Sequence, residues 1–394
     1  MSTDQTQHLP STQAFALWNL GFRPFYLLAA LFAALSIAFW VAQFAGWLGP
    51  GVYFSNPLWH AHEMIFGYAF AVIVGFLFTA IRTWTGRPTS SGIKLAGIAA
   101  LWAAGRVLVL TPWPMLAAAA DTAFALAAAA GMAVPLIAGR IRRNYFLIAL
   151  LLALGAANLA FHLAMAQLIE LPVQRGLQLG LNLILFLMVV MGGRVIPMFS
   201  ANAVLGTKIM RFPWLERIAL GSVLALLVAD FLNLQPMIIA AVAAIAAAAH
   251  AVRLATWKPW LVIGRPILWI LHASYAWIAV YLALHALAAL GVIPSSPATH
   301  ALTVGAIGGL TIGMMTRTAR GHTGRPLQAS MIEAASYALV QLAAVVRVFV
   351  PIFAPQLYLA AIILSGILWS IAFLMFSVMF WPILSRPRID GRSG

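Results

Sequence analysis

WHAHEMIFGYAFAVIVGFLFTAIRTWTGRP, running from Trp59 to Pro88, opens with two histidines and a glutamate, stays apolar for about one membrane thickness and closes on arginines. It reads as a transmembrane helix carrying chemistry at one end. A second stretch, HALTVGAIGGLTIGMMTRTARGHTGRP from His300 to Pro326, repeats its skeleton at a constant offset of 238 (300 minus 62). The offset sets His62 on His300, Gly67 on Gly305, Gly75 on Gly313, Arg82 on Arg320 and Thr85-Gly86-Arg87-Pro88 on Thr323-Gly324-Arg325-Pro326. An ungapped match of this length marks an internal repeat, and a repeated histidine inside a membrane points to a shared cofactor.

The remainder of the chain has the same character. Its 394 residues are 63% hydrophobic and 8% charged, whereas a soluble domain is about half apolar and about a quarter charged. The expected fold is therefore all-α, a polytopic membrane helix bundle. The net charge of +15 would suggest nucleic acid in a soluble chain. Here the basic residues sit in short loops between apolar spans, so the partner is the lipid bilayer and not nucleic acid. Cysteine is absent, which excludes disulfides, thiolate-ligated haem, Cys-ligated iron–sulfur clusters and Cys-rich zinc sites. The polar segment Met1 to Leu20 lacks a basic n-region and a small-residue cleavage site, so no removable signal peptide is expected.

Apolar runs of about 20 residues bounded by Gly, Pro or Arg give about twelve spans. They fall near 25–47, 58–81, 93–110, 115–138, 145–168, 177–199, 216–234, 236–256, 267–290, 299–319, 331–351 and 357–382. The chain divides into a tail over 1–24, a twelve-helix domain over 25–383 and a second tail over 384–394. Arg82, Arg87, Arg140, Arg142, Arg143, Lys208, Arg211, Arg253, Lys258, Arg317, Arg325 and Arg386 fall on alternate turns of this path; Arg106, Arg175 and Arg347 fall on the other side. The asymmetry predicts an inner (cytoplasmic) membrane protein with both termini in the cytoplasm. Spans two and ten correspond in the repeat. That fits two six-helix halves or three four-helix units, and the second arrangement predicts span six, ending in GGRVIPMFSAN (Gly192 to Asn202), as a third copy.

Topology also sets depth. His60, His62 and Glu63 open span two from the outer side, His300 opens span ten, and His162 and His285 come late in spans five and nine. Five of the nine histidines thus share the outer third of the membrane. A single helical histidine is ordinarily a hydrogen-bonded core residue, but five at one depth require a reason, and imidazole suits haem iron, copper and zinc. His60 and His62 leave a regular helix roughly 200° apart. Either the helix begins after His60, or the two imidazoles serve different partners. Glu63 is a second-shell acceptor, a proton carrier or an acid complementing the helix dipole. His272 and Tyr275 lie about one turn apart and could form a hydrogen-bonded pair. At the inner ends Arg82, Arg87, Arg194, Arg320 and Arg325 follow from topology, or form, together with His322, which topology does not demand, an anion site for haem propionates or acidic lipid head groups.

These motifs, together with FRPFYLLA from Phe22 to Ala29, resemble those of the NnrS family over essentially the whole chain. The resemblance implies a haem- and copper-containing bacterial inner-membrane protein of about twelve spans, tied to denitrification and nitric oxide tolerance. It carries onto His60, His62, Glu63, Arg194, His300 and His322 and, less specifically, His162, His272 and Tyr275. The repeat-related His62 and His300 are then expected as axial ligands of a b-type haem. His60, His162 and His285 are the group expected to hold copper or an open-coordinate haem.

Three functions compete on these residues. The first is a redox metalloprotein that binds nitric oxide at haem and reduces it, drawing electrons from quinol or a periplasmic donor and protons through outer acids such as Glu63, Asp121 and Asp230. The second is a proton-coupled secondary transporter. The third is a haem-based nitric oxide sensor without turnover.

Overall fold

A computed structural model describes residues 15–49, 56–204 and 210–392. Among the described residues there are twelve long helices and no strand. They are α1 (Phe22–Phe44), α2 (Pro57–Thr85), α3 (Gly92–Leu108), α4 (Pro114–Ala138), α5 (Phe146–Met165), α6 (Val173–Ala203), α7 (Pro213–Phe231), α8 (Pro236–Thr256), α9 (Pro266–Ala289), α10 (Ser295–His322), α11 (Met331–Phe353) and α12 (Tyr358–Ser385). Ten are long and apolar enough to cross a membrane. The other two are α3, which has 17 residues, and α7, which carries Glu216, Arg217 and Asp230. The expected tails shorten accordingly, because α1 already begins at Phe22 and α12 runs on to Ser385. His8 and Lys208 lie outside the described residues.

Local chemistry sets where these helices begin and end. Prolines stand in the first turns of α4, α7, α8 and α9, where a missing N–H costs nothing. Gly86 closes α2 in the left-handed conformation, φ 64°, and returns its N–H to the Arg82 carbonyl. Ser330 and Glu333 form a capping box at the start of α11.

The packing follows three four-helix units. Within them α1 packs on α2, α5 on α6 and α9 on α10, while α3 packs on α4, α7 on α8 and α11 on α12. Between them α4 packs on α5, α8 on α9 and α12 on α1, so the ring closes. The second helix of each unit, α2, α6 and α10, faces the central axis, and all three line both central cavities. Span six therefore holds the position of a third copy, although its helix is regular.

The other two central helices are not regular. Each contains a π-helical segment, Glu63–Ala69 in α2 and Ala301–Gly308 in α10. The repeat offset maps Glu63 onto position 301, so the same irregularity follows the same histidine in both copies. Such π segments re-aim the side chains around them and concentrate at functional sites.

The chain's two ends meet. Ala16 donates its N–H to the Ser385 carbonyl at 2.8 Å, and Arg23 Nη1 reaches the Leu384 and Arg386 carbonyls at 2.9 and 2.7 Å. The start of α1 and the end of α12 thus share one end of the bundle, as an even number of crossings requires. That end carries most of the arginines; the opposite end carries His60, His62, His162, His285 and His300.

Candidate metal and ligand site at the histidine-rich end

Helix runs unbroken through Asn56–His62, so it does not begin after His60. The two imidazoles consequently leave on opposite faces and serve different partners. His62 turns toward α3, α4 and α5; His60 turns toward α1 and α10.

On the first face is a closed ion cluster. His62 Nδ1 lies 2.7 Å from Glu63 Oε1, and its Nε2 lies 2.7 Å from Asn158 Oδ1 and 3.5 Å from Asp121 Oδ2. His162 Nε2 is 3.2 Å from the same Asp121 oxygen. The Arg106 guanidinium donates to Glu63 Oε1 at 2.8 Å and to Asp121 Oδ1. All five titratable side chains are at most 6% exposed. Two glycines make room for the cluster. A Cβ at Gly67 would stand 2.7 Å from Arg106 Nη1, and one at Gly105 would collide with the Asp121 carboxylate. His62, Asp121 and His162 each offer a ligand atom, all within 4.8 Å of one another. The Arg106 cation in contact with Asp121 opposes a metal cation there.

On the second face is an open cavity of about 250 Å³ between α1, α2, α6, α10, α11 and α12. His60, His300, Arg347, Tyr68, Gln178 and Trp40 are among its lining residues. The His60 and His300 rings are parallel within 8° with centroids 6.3 Å apart, and Trp40 stacks on His60 at 4.2 Å. His300 Nδ1 lies 2.7 Å from the Ser296 carbonyl. A carbonyl only accepts, so Nδ1 carries the proton and Nε2 keeps a lone pair, the arrangement of a metal-ligating histidine. Arg347, 5% exposed, donates from Nη2 to Ser296 Oγ at 3.3 Å, while among the described residues its buried Nη1 has no hydrogen-bond partner and no carboxylate pairs with it. Below this cavity a second one of about 100 Å³, almost wholly apolar, continues along the same axis, and Ile307 lines both.

A third polar group flanks the cavity. His285 Nε2 lies 3.2 Å from Asp230 Oδ1, Asn182 and Gln178 donate to Asp230 Oδ2 at 3.0 and 3.4 Å, and Arg175 caps the end of α7 through the Asp230 carbonyl at 2.8 Å. Gln178 reaches both this group and the cavity.

The structure separates other residues that depth or spacing suggested together. His300 stands beside His60, whereas His62 is held in the closed cluster on the other face of α2. The expected His272–Tyr275 pair does not form. Tyr275 OH pairs with His250 at 2.7 Å and Arg253 at 2.8 Å, and His272 pairs with Ser200 at 2.8 Å. Neither Tyr275 nor Glu63 lines the histidine cavity. Arg194, Arg320 and His322 lie at the arginine-rich end. There Arg194 donates to Asn144 at 3.0 Å, Arg320 pairs with Glu333 at 2.7 and 2.6 Å, and His322 packs on Phe22.

Arg106, Asn158 and Arg347 were not legible as site residues in the sequence, yet a signal existed. The three arginines that break the basic-loop pattern, Arg106, Arg175 and Arg347, stand one in each polar group. A family model described as NnrS protein matches residues 16–388. No curated protein matches the chain.

Proposed function

The chain belongs to the NnrS family, and from that premise we propose that it binds nitric oxide at a haem held by His60 and His300. One observation carries the reading: two parallel imidazoles 6.3 Å apart face a cavity beside a buried guanidinium with no counter-ion among the described residues. His60 and His300 would hold the iron, since neutral imidazole suits haem iron. Haem fits these residues in a further way, because a propionate would neutralise Arg347. Bound there, the haem would supply an iron that coordinates a diatomic ligand in place of one of the two imidazoles.

The chain's own groups prepare that site. The Ser296 carbonyl fixes the tautomer of His300 and turns its lone pair outward. Trp40 holds the ring plane of His60. The cavity walls around Ile37, Ile65 and Leu181 are apolar and suit a small apolar ligand.

Copper, the other metal implied by the family, fits less well. His62, Asp121 and His162 are donors of suitable type, but both His62 nitrogens and the Asp121 carboxylate are already engaged.

Reduction of nitric oxide would consume electrons and protons in equal number, the electrons coming from quinol or a periplasmic donor. His285 and Asp230, linked to the cavity by Gln178, are the proton-handling pair placed to serve it. The transporter reading has less support, since the site lies at one end of the bundle and not at its midplane.

The test is optical. Protein purified from cells supplied with iron and copper should show a haem spectrum that shifts when the dithionite-reduced form takes up nitric oxide, and His300→Ala should lose both features. Absence of haem from the well-supplied, folded protein would remove this function.

A further inference from the structure

At the arginine-rich end the C-terminal tail crosses back over the end of α10. Ile389 donates its N–H to the Thr323 carbonyl at 3.2 Å, and Arg388 Nη1 reaches the His322 carbonyl at 3.0 Å. Asp390 packs against Gly324, where a Cβ would stand 2.9 Å from the Asp390 carboxyl carbon. Arg23, in the first turn of α1, lies beneath this crossing. One of its nitrogens is spent on the Leu384 and Arg386 carbonyls, but its Nε and Nη2 have no partner although the residue is 0% exposed. Arg325 Nη1 is buried without a partner as well.

The surroundings are cationic. Arg325 and Arg388 stand within electrostatic reach of Arg23, while Arg23, Arg82 and Arg388 stand within reach of His322. Burial and the charges of Arg320 and Arg386 lower the pKa of Arg325 below its ordinary value. Two carboxylates come near, and both are taken. Asp390 is gripped by Arg388 at 2.8 and 2.6 Å, and Glu333 by Arg320. Nothing among the described residues answers the open donors of Arg23 and Arg325.

Membrane topology explains why arginines gather at this end, but it asks them to face water or head groups. It does not explain one that is fully buried with two donor nitrogens unused and like charges around it. Such a group is costly unless an anion completes it, and guanidinium forks match phosphate oxygens in pairs.

We infer that Arg23 and Arg325, with Arg82 and Arg388 around them, form a binding site for a phosphate-bearing anion, supplied by a phospholipid head group or by free phosphate. The site is independent of the histidine cavity at the other end of the bundle. Its function is to fasten the C-terminal tail to the start of α1 and the end of α10 when the anion is bound.

The experiment uses the full chain, purified in neutral detergent and stripped of lipid. Thermal unfolding is followed on titration with inorganic phosphate, with phosphatidylglycerol, and with chloride at matched ionic strength. One or both phosphate sources should raise the melting temperature beyond the chloride control. In Arg325→Gln the half-saturating concentration should rise about tenfold or more. Arg87→Gln should leave it unchanged, because Arg87 is the exposed repeat counterpart of Arg325. Arg325→Gln is the deciding variant, since Arg23→Gln also cuts the bonds to Leu384 and Arg386. A response to phosphatidylglycerol alone assigns the site to a lipid, a response to inorganic phosphate alone assigns it to a soluble anion, and a response to both assigns it to the phosphate group itself. No rise over chloride from either source, or an unchanged half-saturation in Arg325→Gln, would overturn the assignment.

Discussion

His62 and His300 occupy the same position in two copies of one repeat, yet their surroundings are opposite. Around His62 the arginine of the following helix, Arg106, meets two carboxylates, and every charge is paired. Around His300 the arginine of the following helix, Arg347, meets none, and the imidazole faces open space. Acids are the difference. Where α2 has Glu63 the repeat has Ala301, and the same offset of 238 sets Leu359 opposite Asp121. A duplicated frame thus yields one copy that is closed and one that is open to a ligand, because the open copy lacks the groups that would satisfy its cations internally.

The contrast makes its largest prediction for the arginines. Arg106→Leu strands Glu63 and Asp121 and should cost about 3–5 kcal/mol, seen as poor accumulation and a sharply lower melting temperature. Arg347→Leu removes a charge that nothing pairs, so stability should hold while ligand affinity falls. The reverse order would invert the comparison. Next comes Glu63→Gln, which weakens the contacts to His62 and Arg106 by about 1.5–3 kcal/mol and should leave nitric oxide binding unchanged. Slower turnover with an intact haem spectrum would instead bring Glu63 into a proton path. Gly67→Ala sharpens the closed side, since its Cβ pushes on Arg106; a loss of about 1–3 kcal/mol is expected. Ser296→Ala should have the smallest effect. His300 is held by the backbone carbonyl, so the spectrum should not move and stability should change by no more than about 1 kcal/mol.

Much of this frame was legible in advance. Hydropathy and basic loops gave the helices, and the repeat placed α2 and α10 in equivalent positions. Histidine depth was legible too, because height follows from the distance along each span. Azimuth was not. Two histidines at the same height, His62 and His300, face different neighbours, and only the packing of α2 against α3, α4 and α5 shows that His62 is enclosed. The π segments escaped as well, since no residue pattern in EMIFGYA or ALTVGAIG distinguishes them from ordinary helix. The most useful hint lay in the exceptions: Arg106, Arg175 and Arg347 depart from the basic-loop pattern because each belongs to a polar group at the histidine-rich end.

The most direct test of the two-sided reading of α2 compares the reduced optical spectra of three purified variants, His60→Ala, His300→Ala and His62→Ala. Loss of the haem signal in the first two, with the third retaining it in whatever fraction folds, is the result this account predicts. Retention in His60→Ala and His300→Ala with loss in folded His62→Ala would contradict it and move the metal to the closed cluster.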